Sequence, residues 1–448
     1  MIKKLLSKKC KEFVIFNLFL LLAVAVNAQN APKKLFEVRE LKADVKVFFS
    51  KLEKIHPDLY YYYPKDSILQ AKENIMQQIV APMSWNEFAK LIAINTTRFF
   101  DGHTGLKWYF FNWNTISESA FLFPPKQISV EKGILYIDEN TKIVSINGNS
   151  ANEMINTMRN LSEAGTHQYK RDCSIEDYFS SFYYHLYGSS EQFRLIVEQN
   201  GQKTEKIVQG VAKKEVYANN NNTPNFDLII KNDIALLTIN TFNGNRFEEF
   251  KTFLDSSFKQ IRQSNISNVF IDVSENSGGG DEIVSLLLDY IYPTDYYFLY
   301  GYAETKKETY GLEWKRQNKV DTPYLGKVYI LQSYETFSAG MDFSSAIKTS
   351  NRGVIIGEMT GDPAYSFSNS TSFTLPKTGI HIACAIGFYA MPSGSHNCNL
   401  GILPDVYCHR KELNALKKDT NALFEYFKSI IAKYGDRESD IEMLKKFE

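Results

Sequence analysis

The chain predicts a mixed α/β protein of several domains, and three observations carry that expectation. A long N-terminal stretch has apolar residues at helical spacing, a middle stretch holds short strands closed by Asn-Gly turns, and in the C-terminal half buried strands alternate with helical patterns. At 448 residues the chain exceeds one ordinary domain and suffices for two or three with sizeable cores.

From Leu35 to about Phe100 the helical spacing runs through Leu41, Val45, Phe48, Phe49 and Leu52, then Phe88, Leu91, Ile92 and Ile94. Pro57, Pro64 and Pro82 fall in the connections, so 29–112 is expected to be a helical domain. Near its end, Asp101-Gly102-His103-Thr104 is a turn-type cluster carrying one of only seven histidines.

A second, β-rich module is expected over 113–217. Its strand-like stretches, 133–138 and 142–150, are closed by Asn147-Gly148, a helical pattern covers Ala151 to Leu161, and a hairpin opens around Asn200-Gly201. The segment ANNNNTPN, 218–225, has linker composition and precedes a third domain over 225–448.

That domain begins with a strand at 234–239 and a helix over Phe247 to Gln263, whose Phe250, Leu254, Phe258 and Ile261 share one face. The buried strand 269–273 runs straight into a turn with Gly278-Gly279-Gly280, after which Ile283, Leu286, Leu287 and Tyr290 resume helical spacing. Consecutive glycines permit unusual torsions and leave backbone amides open to a ligand. One reading is a flexible turn; a phosphate loop fits poorly, because its Lys-Ser/Thr is missing and the GxGxxG spacing does not match; backbone amides beside a nucleophile would instead suit oxyanion stabilisation.

Val328 to Leu331 form another buried strand, and from Ser338 the apolar positions Ala339, Phe343, Ala346 and Ile347 turn helical before the strand 354–356. Ser338 thus stands where a strand hands over to a helix. A serine there is ordinarily an N-cap, its hydroxyl accepting a first-turn amide. It is otherwise a nucleophile, in a field that favours developing negative charge.

Lys+Arg and Asp+Glu are equal at 51 each, so no global field points to nucleic acid or an anionic membrane. The first 28 residues have the layout of an export signal: Lys3, Lys4, Lys8, Lys9 and Lys11, then apolar Phe13 to Val26, then small-residue Val26-Asn27-Ala28. The mature protein is expected outside the cytoplasm, periplasmic or extracellular, with no integral span. Four cysteines remain, of which Cys398 and Cys408 are close enough in sequence to pair; none has zinc-site spacing, so no metal or cofactor is expected.

Taken together, SENSGGGDE, TFSAGMDF about sixty residues on, IIGEMTGD, and LGILPDV at 400–406 resemble the tail-specific, or C-terminal processing, protease family. In addition, IVSINGNSANEMINTM resembles the strand, tight turn and helix of a PDZ domain, with 165–190 as an insertion. The resemblance implies a crotonase-like α/β catalytic domain, a PDZ-like module and a helical N-terminal domain. It implies Ser338 as nucleophile, with the amides of Ala339 and of Gly278 or Gly279 as the oxyanion hole.

Members with a Ser/Lys dyad carry a lysine about two dozen residues after the serine. Here that region reads Gly361-Asp-Pro-Ala-Tyr-Ser-Phe, and the next lysine, Lys377, falls in an expected strand well beyond it. A branch that includes tricorn protease instead uses a histidine ahead of the PDZ module, a position that DGHT at 101–104 matches. His103 is therefore the expected base, an unperturbed imidazole of pKa ~6.5 being able to take and return a proton near neutrality. The glutamate of that branch, just before the GIxPD segment, is replaced by Ser395-His-Asn-Cys-Asn-Leu, which leaves Asp101, Glu358 and His396 as candidates to orient the base. The expected function is that of an exported serine endopeptidase acting on peptides or unfolded protein tails. The alternative is an inactive protein of the same fold that binds a peptide or apolar ligand.

Overall fold

The computed structural model describes residues 34–435 apart from 107–108, 111, 126, 139–140, 218–223, 293–295, 305–308, 317–319 and 392–399. The expected leader, most of the Asn-rich linker, His396 and Cys398 lie outside the described residues.

Helices α1 (Val38–Ile55), α2 (Lys65–Gln78) and α3 (Trp85–Thr96) form the N-terminal layer. Leu41, Val45, Phe48 and Leu52 recur every three or four residues along α1, and all are fully buried. α3 starts at a capping box, the Ser84 hydroxyl accepting the Glu87 N–H while the Glu87 carboxylate accepts the Ser84 N–H.

The middle of the chain forms an antiparallel sheet of β1 (Ile128–Glu131), β2 (Ile134–Ile137), β3 (Thr141–Ile146), β4 (Gln192–Gln199) and β5 (Gln202–Gln209), in that order. Both Asn-Gly turns form as expected: Asn147 and Gly148 have φ of 50° and 82°, and Asn200 and Gly201 of 52° and 77°, the double positive φ that a two-residue hairpin demands. Helix α4 (Ala151–Arg159) follows the first of them. The expected insertion is a helix, α5 (Gln168–Tyr187), interrupted at Tyr178 by non-helical torsions. The N-terminal helices and this sheet share one continuous apolar cluster.

The C-terminal half is built on six strands ordered β6 (Phe226–Lys231), β7 (Ile234–Ile239), β8 (Asn268–Asp272), β9 (Lys327–Gln332), β10 (Val354–Gly357) and the short Val406–Tyr407, antiparallel between β6 and β7 and parallel elsewhere. Period two sends Leu237, Ile271, Ile330 and Ile355 to one face, against α6 (Phe247–Gln263), α7 (Asp281–Ile291) and α8 (Ala339–Ser350). Leu236, Phe270, Tyr329 and Ile356 go to the other, against α9 (Arg410–Lys417) and α10 (Thr420–Tyr434). Burial on both faces is why these strands are continuous apolar runs.

A second, four-stranded antiparallel sheet joins 309–316, 296–304, β12 (His381–Ala390) and β11 (Tyr365–Thr374), in that spatial order. The β11–β12 turn is pinned to α1: buried Asp44 accepts the Lys377 N–H at 3.0 Å, the Thr378 N–H at 2.8 Å and the Thr378 hydroxyl at 2.7 Å. Lys377 therefore sits in a turn and not in a strand, because the Asp44 carboxylate collects the amides at that hairpin end. Cys408 is a buried free thiol, as are Cys173 and Cys384, so the pairing considered for Cys408 is not formed. Among the described residues no helix is long and apolar enough to cross a membrane.

Candidate active site

The turn from β9 into α8 places Ser338 at the helix N-cap with φ 52° and ψ −125°, a conformation that a residue with a Cβ adopts only under constraint. Its hydroxyl makes no capping bond. Instead the Ser338 N–H donates to Asp362 Oδ2 at 3.2 Å, and its carbonyl accepts the Asp342 N–H at 3.0 Å, opening the helix ladder. The hydroxyl lies 3.4 Å from His103 Nε2, across 235 positions of sequence. Nucleophile–base pairs without substrate are commonly this long.

The glycine turn after β8 lies against this serine. A Cβ on Gly278 would stand 2.7 Å from the Phe337 carbonyl oxygen and 2.8 Å from Ser338 Cβ, so nothing larger than glycine fits. Buried Asn276 ties the two turns together: its Oδ1 accepts the Gly278 N–H at 2.8 Å, its Nδ2 donates to the Ile239 carbonyl at 3.0 Å, and its own carbonyl accepts the Phe337 N–H at 3.0 Å. The Gly278 amide is thereby occupied. The amides of Gly279 and of Ala339, the first residue of α8, take part in no hydrogen bond among the described residues.

His103 reaches the site on the loop after α3. Asp101 Oδ1 accepts the His103 N–H at 2.7 Å, and His56 Nε2 donates to Asp101 Oδ2 at 2.9 Å. Burial alone would raise the Asp101 carboxyl, but the hydrogen bond and charge of His56, with His103 adding to them, hold it below the ordinary carboxylate range. The imidazole of His103 stacks on Phe337, ring centres 5.3 Å apart. The loop is fastened to β12, where the Gly105 N–H donates to the Ala383 carbonyl at 2.9 Å and the Ala385 N–H to Thr104 Oγ1 at 3.0 Å.

Glu358 is buried at the end of β10. Its Oε1 accepts the Tyr169 hydroxyl at 2.5 Å and the Arg410 N–H at 2.7 Å, which binds α5 to α9. The structure thus brings Ser338, His103, Gly279 and Ala339 together, sets Asp101 behind His103, and directs the bonds of Glu358 elsewhere. His56, Asn276 and Asp362 escaped the sequence reading. Asn276 carries a local signal, an asparagine two residues before a glycine run, whereas the contact of His56 with Asp101 spans 45 positions and leaves none.

A cavity of about 600 Å³ opens beside Ser338 and His103, bounded by Gly279, Asp281, Asp342 and Asp362 on one side and by β11 and Tyr389 on the other. Among the described residues no lysine or arginine lines it. Burial, then the charges of Asp281 and Asp362, push the Asp342 carboxyl well above its ordinary value, and burial beside Glu282 raises Asp281. Among the described residues no group of His, Cys, Asp and Glu side chains has the geometry to hold a metal ion.

A strained serine at a strand–helix turn, a histidine within reach of its hydroxyl and two unengaged amides beside it are the parts of an acyl-transfer site. The class they define is the serine-type peptidase. Residues 233–408 match the family model Peptidase family S41, so this part of the chain is similar to the serine-type peptidases of that family. Similar solved structures include mature CPAF, at 12% identity over 83% of this chain and 92% of that one with a TM-score of 0.53. A mutant form of CPAF gives 12% identity over 83% and 93%, TM-score 0.56. The photosystem II D1 C-terminal processing protease gives 13% identity over 82% and 93%, TM-score 0.45. At these identities the likeness to CPAF is one of fold.

Proposed function

We propose that the protein is an exported serine endopeptidase in which Ser338 is the nucleophile and His103 its base. The observation that carries this reading is the 3.4 Å approach of His103 Nε2 to Ser338 Oγ. His103 takes the hydroxyl proton as Oγ attacks the peptide carbonyl, and the amides of Gly279 and Ala339 receive the oxyanion. His103 then returns the proton to the leaving amine, and a water activated by the same imidazole releases the acyl group. Asp101 acts on the backbone of His103 and so fixes where the ring stands. Glu358 is assigned a structural part, through Tyr169 and Arg410.

The remaining assignments go with this reading. The C-terminal half is a crotonase-like catalytic domain, and the sheet of β1 to β5 with α4 is a PDZ-like module that recruits substrate chain ends. The substrates are peptides or unfolded protein tails, and no cofactor takes part.

Labelling of the mature protein by a fluorophosphonate probe, with Ser338→Ala and His103→Ala alongside, tests the mechanism. Wild type should label and cleave unfolded protein, and both variants should be silent. Labelling kept in His103→Ala would remove His103 as base. A folded wild type that never labels would favour a ligand-binding protein of the same fold.

A further inference from the structure

Among the described residues the second sheet ends in an edge strand to which no further strand is paired, and its outer part is exposed. Among the described residues β11 pairs only with β12, and its residues 366–374 make no backbone hydrogen bonds beyond that ladder. Edge strands are usually protected by charge, proline or a covering element. The sequence of β11, YSFSNSTSFT, has neither charge nor proline, and Asn369 to Ser372 are exposed. Its small hydroxyl side chains let another main chain come close.

This edge stands at the catalytic centre. Ser366, Ser368, Asn369 and Ser370 line the same cavity as Ser338 and His103. Within it Asn369 has φ 54°, a left-handed residue in mid-strand. The pairs on either side, Ser368 with Gly387 and Ser370 with Ala385, keep a single register, so no residue is inserted and the hairpin does not need the turn of the backbone at Asn369. A left-handed L-residue costs about 1–2 kcal/mol, asparagine being the side chain that tolerates it best. The strain sits where the edge faces the cavity, and it takes Asn369 out of the β12 ladder. The same hairpin holds the base, since Ala383 and Ala385 of β12 bind the loop that carries His103.

Resting on the peptidase reading above, we propose that the open edge of β11, from Ser368 to Ser370, takes the substrate main chain as an added strand and carries the scissile peptide to Ser338, with Asn369 as the positioning residue that sets its register. Affinity then comes from main-chain hydrogen bonds, a mode indifferent to most side chains, as a protease for unfolded chains requires.

The test uses the mature full chain and a fluorescence-quenched ten-residue peptide taken from a cleavage site in denatured casein. The peptide is made with a single backbone N-methyl group at each position in turn. An added strand predicts a period of two: kcat/KM falls at least about ten-fold at alternate positions and stays near the parent value between them. Asn369→Val should lose about ten-fold in kcat/KM, whereas Asn369→Gly should lose far less because glycine accepts positive φ, and fluorophosphonate labelling of Ser338 in both shows that the catalytic turn is still formed. That labelling also reports a folded site, and the N-methyl series stands without any variant. A wild type that labels and cleaves but shows a flat or non-alternating N-methyl profile overturns the edge proposal alone. So does Asn369→Val cleaving at the wild-type rate. A wild type that neither labels nor cleaves overturns the peptidase reading and this one with it.

Discussion

Asp101 holds His103 by its backbone: Oδ1 accepts the His103 N–H at 2.7 Å, while Oδ2 takes the bond from His56 Nε2 at 2.9 Å. Both partners of the His56–Asp101 pair are buried, at 3% exposure each. His56→Ala would leave a carboxylate buried without its partner, a loss of about 3–5 kcal/mol. The Asp101 carboxyl is held below its ordinary value of 3.8, so its contribution is present above that pH and is lost as pH falls through the depressed value. Thermal unfolding should therefore show a large gap between wild type and His56→Ala at pH 7 that narrows in strong acid. Peptide cleavage should fall about 10- to 100-fold, because the loop that places the base has lost its anchor.

The backbone at Ser338 yields a stability prediction opposite in sign to its effect on activity. With φ at 52° the residue sits where glycine is at ease and alanine is not. Ser338→Gly should melt above Ser338→Ala by the equivalent of about 1 kcal/mol, with both inactive. Equal melting temperatures would mean that the turn relaxes once the hydroxyl is gone.

Much of this architecture is legible in the sequence for one reason, the burial of the six-stranded sheet on both faces. The helix expected over Phe247 to Gln263 has those bounds because its apolar face repeats cleanly, and the Asn-Gly hairpins form because only such residues supply paired positive φ. The hairpin of β11 and β12 was hidden for the opposite reason. The outer half of β11 is exposed and unpaired on one side, so it carries no apolar alternation to find. Ser338 could be placed at its turn from periodicity, and His103 only from resemblance; the contact between them depends on the folded sheet. Asp101 beside His56, and Glu358 beside Tyr169 and Arg410, are long-range pairings that no local pattern marks.

Asn276 joins the glycine turn to the serine turn, and its removal separates two functions that geometry combines. Asn276→Ala leaves the Gly278 N–H and the Ile239 carbonyl without partners in a fully buried place, at about 1–3 kcal/mol each. It also loosens Gly279 against Ala339. Fluorophosphonate labelling of Ser338 should slow at least about ten-fold in protein that is still folded by circular dichroism. Labelling at the wild-type rate would mean that the Gly279 amide is placed by the bonds of Phe242 to its neighbours, Gly278 and Gly280, alone.

Glu335 lies three residues before Ser338 and couples this turn to pH. Burial pushes its carboxyl from the ordinary 4.5 up to about 7, with the charges of Asp177 and Glu275 adding to the effect. The adjacent Tyr334 hydroxyl donates to Asp177, and Arg410 bridges Asp177 and Glu176, so the repulsion falls where α5 meets the catalytic turn. The folded state binds the Glu335 proton more tightly than the unfolded chain does. Stability is therefore lost as pH rises from about 4.5 to about 7, and the loss is complete above that. Glu335→Gln removes the ionisation but keeps the shape. The variant should match wild type in thermal unfolding near pH 4 and exceed it at pH 8, by about 1–3 kcal/mol. A difference that is constant across this range would show that Asp177 relaxes away from Glu335 as it ionises, and that the charge exerts no strain on the turn carrying Ser338.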